Sequence, residues 1–200
     1  MINNTDICNM ALAHLAKVRI GSIEENSELA RQCKMFYDYT KKSLLRDYSW
    51  GFAKRVVKLA ELTEKSPYWE YVYAYPEKCI CVRKIFAADD DEKCIHEFEK
   101  DKWDLYLTSD NVLGVGCNIY QAWMEYTYDV DDAELFSADF LEAFTHMLAF
   151  NICVQATGSS SLQQTQYQLA QNALMRAKYT TAAEKVEKPD YPDKYFRARG

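Results

Sequence analysis

Long apolar runs are missing from this chain. Its most hydrophobic stretch, residues 140 to 154, is broken by Glu142, His146 and Asn151, and falls short of the ~20 apolar residues a helix needs to span a bilayer. The opening "MINNTDICNMALAHLAKVRIGS" has neither a basic leader nor a small-residue cleavage site, so no secretory signal is read there and a soluble protein without a membrane partner is expected. A basic excess is missing too. With 24 Lys+Arg against 30 Asp+Glu, the net charge is −6, which disfavours a broad phosphate-binding surface, because nucleic-acid affinity draws on clustered cations. Seven cysteines are an odd number without the density of a disulfide framework. Reduced, mostly buried thiols in an intracellular compartment are the expectation.

Signatures of chemistry are scarce as well. Cys79 and Cys81 stand one residue apart on a strand, and His14, His96 and His146 have no zinc-ligand spacing. "GVGC" at 114–117 lacks the Lys-Ser/Thr ending of a phosphate loop and reads as a turn. "DVDDAE" at 129–134 starts like a calcium loop, but Ala133 occupies a usual ligand position and no glycine stands where the loop must bend. It reads as a solvated turn capping the next helix. No nucleophile-elbow motif presents a serine. Glu97, Glu99, Asp101 and Asp104 could pair as acid and base, yet charge on exposed strand faces accounts for them. The expectation is a protein that is not an enzyme and holds neither metal nor cofactor.

What the chain does have is helical spacing at both ends and strand-like aromatic runs between. Ile7, Met10, Ala11, His14, Leu15 and Val18 predict a helix over 6–18, capped by Asn4 or Thr5. Ser22 and Glu25 have capping-box spacing, with Asn26 and Ser27 as a later start; Leu29, Cys33, Phe36, Thr40, Leu44 and Tyr48 then form a second stripe. It runs into "LLRDYSWGFAKRVV", residues 44–57, where Gly51 suits the left-handed closure of a helix. Trp50 and Phe52 flank that corner, and burying them would pin the helix end to the first strand.

Residues 52 to about 130 read as one small antiparallel sheet, in which "CICVRKIFAA" turns Ile80, Val82 and Phe86 inward. Helical spacing returns after the N-cap Ser137 and runs to Gly158. Ser159 to Ser161 then cap a last helix to about Glu184, with Leu162, Leu169, Ala173, Leu174 and Ala177 inward. The final "EKVEKPDYPDKYFRARG" reads as an extended arm. The fold expected is α+β, mainly α: a four-helix bundle (residues 1–50 and 137–184) with a small antiparallel β insertion (about 52–130) between helices 2 and 3. Residues 1–185 form a single domain, and 186–200 the C-terminal arm.

One long stretch carries a resemblance. "DICNMALAHLAKVRIGSIEENSELARQCKMFYDYTKKSLLRDYSWGFA" resembles the start of the podovirus head-to-tail adaptor family, the tail tubular protein A group. Asn9, Ala11, Leu12 and Leu15 match that family's "N-x-A-L-x-x-L" helix, and Leu44, Leu45, Trp50, Phe52 and Ala53 match the helix that ends in a Trp-x-Phe-Ala corner. "YAYPEKCICVRKIF" is similar to its Tyr-x-x-Pro segment and strand. The likeness covers about the first 90 residues well and the rest by pattern only; the acidic turn and "KDKWDLYLTSD" depart from it. What the resemblance implies is a structural virion protein, assembled in the host cytoplasm. Twelve copies would form a ring beneath the portal protein and carry the downstream tail or nozzle protein, while genomic DNA passes without specific contact. In the arm after Lys185, the mixed aromatic and basic content of Tyr191, Tyr195, Phe196, Arg197 and Arg199 suits a segment that orders on docking to the portal. Two readings compete: a tail-associated cell-wall hydrolase using acidic residues of the sheet, and a monomeric intracellular binding module whose aromatic sheet holds a ligand.

Overall fold

The computed structural model describes residues 2–87 and 102–184. Helix α1 (Asn4–His14) opens on a capping box in which Asn3 and Asp6 exchange side-chain-to-backbone bonds of 3.0 Å in each direction. The cap therefore precedes both candidates read from the sequence. Beyond His14 the chain turns back, and Val18 lies outside the helix and exposed. Asn9 clamps the return: its amide donates to the Ile20 carbonyl at 3.0 Å and accepts the Ile20 N–H at 2.8 Å, which seats Ile20 in the core.

Helix α2 (Glu28–Asp47) starts at the later of the candidate caps, Ser27, whose hydroxyl accepts the Ala30 N–H. Helices α3 (Ala138–Thr157) and α4 (Ser160–Ala183) fold back on each other through Gly158, at φ +71, where a side chain would be strained. α3 is apolar on most sides because α1, α2 and α4 all pack on it. α4 meets it along Gln166, Ala170, Ala173 and Ala177, at alternating steps of four and three, and the three alanines let the axes approach. Leu169, expected inward, falls off that seam and is exposed.

The expectation of one small β insertion within a four-helix bundle is corrected by the segment between α2 and α3. It holds strands β1 (Lys54–Lys58), β2 (Tyr71–Ala74), β3 (Cys79–Phe86), β4 (Trp103–Leu107), β5 (Leu113–Cys117) and β6 (Trp123–Tyr128). They form two three-stranded antiparallel sheets, ordered β1-β6-β3 and β2-β5-β4. The chain passes between sheets rather than meandering through one, so strands adjacent in sequence seldom pair. Tyr73, Val82, Ile85, Val115, Met124 and Tyr126 bury a second hydrophobic core, distinct from the helical one. Such a core makes this region a layer of its own.

Two local readings change with it. β3 is bulged between Cys79 and Cys81 and between Val82 and Lys84; each bulge adds a residue and breaks strict alternation. Val82 and Ile85, three apart, are therefore the buried pair, while Ile80 and Phe86 are only half-buried. "GVGC" belongs to strand β5, not to a turn. Gly116 is required there because the Trp69 ring lies over it: an added Cβ would stand 2.2 Å from Trp69 Cδ1.

Candidate functional site

At the aromatic corner, Trp50 is buried against the helical core and its indole N–H donates to the Leu44 carbonyl at 2.8 Å. Edge contacts to Tyr48 (5.2 Å between ring centroids) and Phe140 (5.1 Å) hold it, and Phe52 packs on Phe136 and Phe140 at 5.6 and 5.0 Å. Gly51 does not close α2. The helix ends at Asp47, and Gly51 opens a short 3₁₀ turn with negative φ, where an added Cβ would touch nothing. What satisfies the end of α2 is Arg83 from β3. Its Nη2 donates to the carbonyls of Leu45 (3.2 Å), Arg46 (2.9 Å) and Tyr48 (2.7 Å), and its Nε donates to Thr127 Oγ1 (2.8 Å). A cation on those orphan carbonyls also suits the negative end of the helix dipole. Arg83 thus ties the sheet layer to the end of α2, beside a corner that is packed in the helical core.

Lys41 is buried in α2 among carboxylates from the β6–α3 linker. Its ammonium lies 2.8 Å from Asp129 and 3.4 Å from Asp131, and donates to the Val130 carbonyl at 3.2 Å. The Asp129 contact is an ion pair by proximity, since Asp129 Oδ1 accepts no well-angled hydrogen bond. Asp129 itself is largely buried, so "DVDDAE" is not simply a solvated turn; its Asp132 caps a second 3₁₀ turn, Ala133–Leu135.

Two histidines 132 positions apart in the chain meet where α1, α3 and α4 converge. The His14 and His146 rings stack at 3.9 Å with 16° between planes. Gln166 donates to the His14 carbonyl and so presents its oxygen to His146 Nδ1 at 2.8 Å, which places the proton of neutral His146 on Nδ1. Thr145 donates to the Glu142 carbonyl and so accepts from His14 Nε2 at 3.2 Å. Burial, and then the neighbouring His146, push the His14 pKa below its ordinary value, against a smaller upward pull from Glu142. Nothing in the spacing of the sequence marks this pair.

A cleft of about 540 Å³ runs between α2 and β3, lined by Tyr39, Lys42, Ser43, Arg46 and Lys78, with Cys79, Ile80 and Asp129. Lys42 faces Asp129 at 3.4 Å and Lys78 pairs with Asp131; among the described residues Arg46 has no carboxylate partner. Of the acidic candidates in the sheet, Asp104 lies exposed on β4, while His96, Glu97, Glu99 and Asp101 lie outside the described residues. So do Tyr191, Tyr195, Phe196, Arg197 and Arg199 of the arm. Among the described residues, no three potential ligands from His, Cys, Asp and Glu converge on a point, and no helix is long and apolar enough to cross a membrane. No protein-family model and no curated protein matches the sequence.

Proposed function

We propose that this chain is a structural assembly protein, a head-to-tail adaptor of a tailed phage, whose copies form a twelve-membered ring between the portal and the downstream tail protein. The observation that carries the reading is a pair of apolar stripes on the outward faces of two helices. Met35 and Tyr39 stand one turn apart on α2, as do Met175 and Tyr179 on α4, and all four are about two-thirds exposed or more. Both helices already bury another face against α3, so these stripes are surplus to the fold. Four cations beside them are neutralised within the chain: Lys34 by Glu24, Lys42 by Asp129, Arg176 by Glu142 and Lys178 by Asp47. Apolar area on electrically quiet ground favours protein contact over phosphate binding.

The residues that carry the resemblance support the same reading, because they make one connected unit. Asn9 clamps Ile20, while Leu12, Leu15, Leu44, Leu45, Trp50 and Ala53 share a single core. A ring requires heterologous contacts between unlike surfaces, repeated until the rotation closes. The arm residues Tyr191, Tyr195, Phe196, Arg197 and Arg199 are proposed to dock on the portal, and deletion of 186–200 is expected to abolish attachment. Electron microscopy of the chain mixed with its portal tests the whole proposal: a collar of density beneath the portal is expected, and bare portals at saturating chain overturn it.

A further inference from the structure

Six residues beyond the cleft-lining Asp129, the Ala133–Leu135 turn presents a side chain with nowhere to go. Leu135 is 56% exposed, although Val130, Ala133 and Phe136 around it are all buried in the helical core. Those three anchors and the Asp132 side chain, which accepts the Glu134 N–H at 3.0 Å, fix the turn in place. The turn therefore holds Leu135 outward and leaves the cleft of its own copy open. Glu134 and Asp139 flank the knob, and among the described residues neither is paired with a cation.

The cleft has the opposite character. Arg46 on α2 brings a cation without a carboxylate partner, and Ile80 and Cys79 give an apolar floor of a size that takes a leucine side chain with its flanking backbone. The Met35–Tyr39 stripe continues into it, since Tyr39 is part of its wall. We infer that the 132–135 turn of one copy seats in the α2–β3 cleft of a second copy, with Leu135 over Ile80 and the Glu134 and Asp139 carboxylates facing Arg46. The inference rests on the assembly of copies proposed above and names the contact that joins them. Knob and socket are unlike surfaces, so the contact can repeat head to tail around a ring as well as close reciprocally in a pair, and the knob is held in place before they meet, which limits its ordering cost.

The knob and socket can be tested with the socket's own thiol and one introduced on the knob. A Leu135→Cys/Cys79→Ser chain carries the knob thiol and no socket thiol, whereas the unmodified chain carries Cys79 in the socket. A short bis-maleimide added to a mixture of the two full-length chains, at the highest soluble concentration, is expected to give a covalent dimer whose linked peptides join positions 135 and 79. Arg46→Glu in the socket chain should lower its yield about tenfold, and Glu134→Arg in the knob chain should restore it. Both substitutions lie on the surface, and the thermal melts of these chains report whether each is folded. Absence of the 135–79 link, or a yield indifferent to Arg46→Glu, overturns the contact even if a collar forms on the portal. A Leu135→Cys chain that links only into closed pairs, with bare portals in the microscope, leaves the contact standing and removes the ring.

Discussion

Replacing Arg83 tests how the sheet layer and the helices are joined. Arg83→Met keeps most of the aliphatic stem and removes the guanidinium that serves the carbonyls of Leu45, Arg46 and Tyr48 together with Thr127 Oγ1. A hydrogen bond to a charged group contributes about 1.5–3 kcal/mol net, but these four do not sum. One nitrogen with two protons serves three carbonyls, and the Arg46 carbonyl bond is exposed to water. Counting the loss as one to two bonds gives about 1.5–6 kcal/mol, which for a chain of this size corresponds to a melting-temperature drop of roughly 3–24 °C. Arg83→Lys should recover half of that or less, because a single ammonium on a flexible stem cannot span the carbonyls and Thr127 together. Hydrogen exchange should show faster opening confined to the last turn of α2 and to β3. A Met variant that loses under about 0.5 kcal/mol in denaturant melts, or that loosens α1 and α4 instead, would refute the idea that this side chain ties the layers.

Four further outcomes follow from the same geometry. Trp50→Ala should destabilise by about 3–5 kcal/mol in a chemical melt, since it empties a buried site and orphans the Leu44 carbonyl. His14, held below its ordinary pKa in the fold, contributes stability that is complete above about pH 6.5 and is lost as pH falls through its lowered value; melts at about pH 8 and about pH 5.5 should show this loss, and His14→Gln should flatten it. Lys41→Met should cost about 3–5 kcal/mol by leaving Asp129 buried with only Lys42 nearby, and adding Asp129→Asn should recover part of it. Gly116→Ala should cost about 1–3 kcal/mol and shift the Trp69 fluorescence, because the ring must move off β5.

Where the sequence could be read, the signal was local. Ser137 and Gly158 mark the ends of α3 through a cap and a left-handed residue, chemistry that needs no partner from elsewhere in the chain. The apolar girth of α3 likewise declares that it is surrounded. Gly51 shows the limit of that logic: it has the right type for a helix cap, but the end of α2 is satisfied by Arg83, which arrives from 35 residues downstream of Tyr48. The two sheets were hidden for the same reason, since β6 pairs with β1 and β3, and β5 with β2, at separations that alternation cannot encode, whereas the β4–β5 hairpin is local. The bulges in β3 went further and misdirected the alternation itself. At the candidate site the division is the same. The aromatic type of Trp50 and Phe52 is enough to assign them to packing, whereas the cleft is assembled from α2, the β2–β3 turn, β3 and the β6–α3 linker. Its proposed complement, Leu135, is an ordinary leucine in the sequence. What sets it apart is structural: it is exposed while Val130, Ala133 and Phe136 on either side are buried.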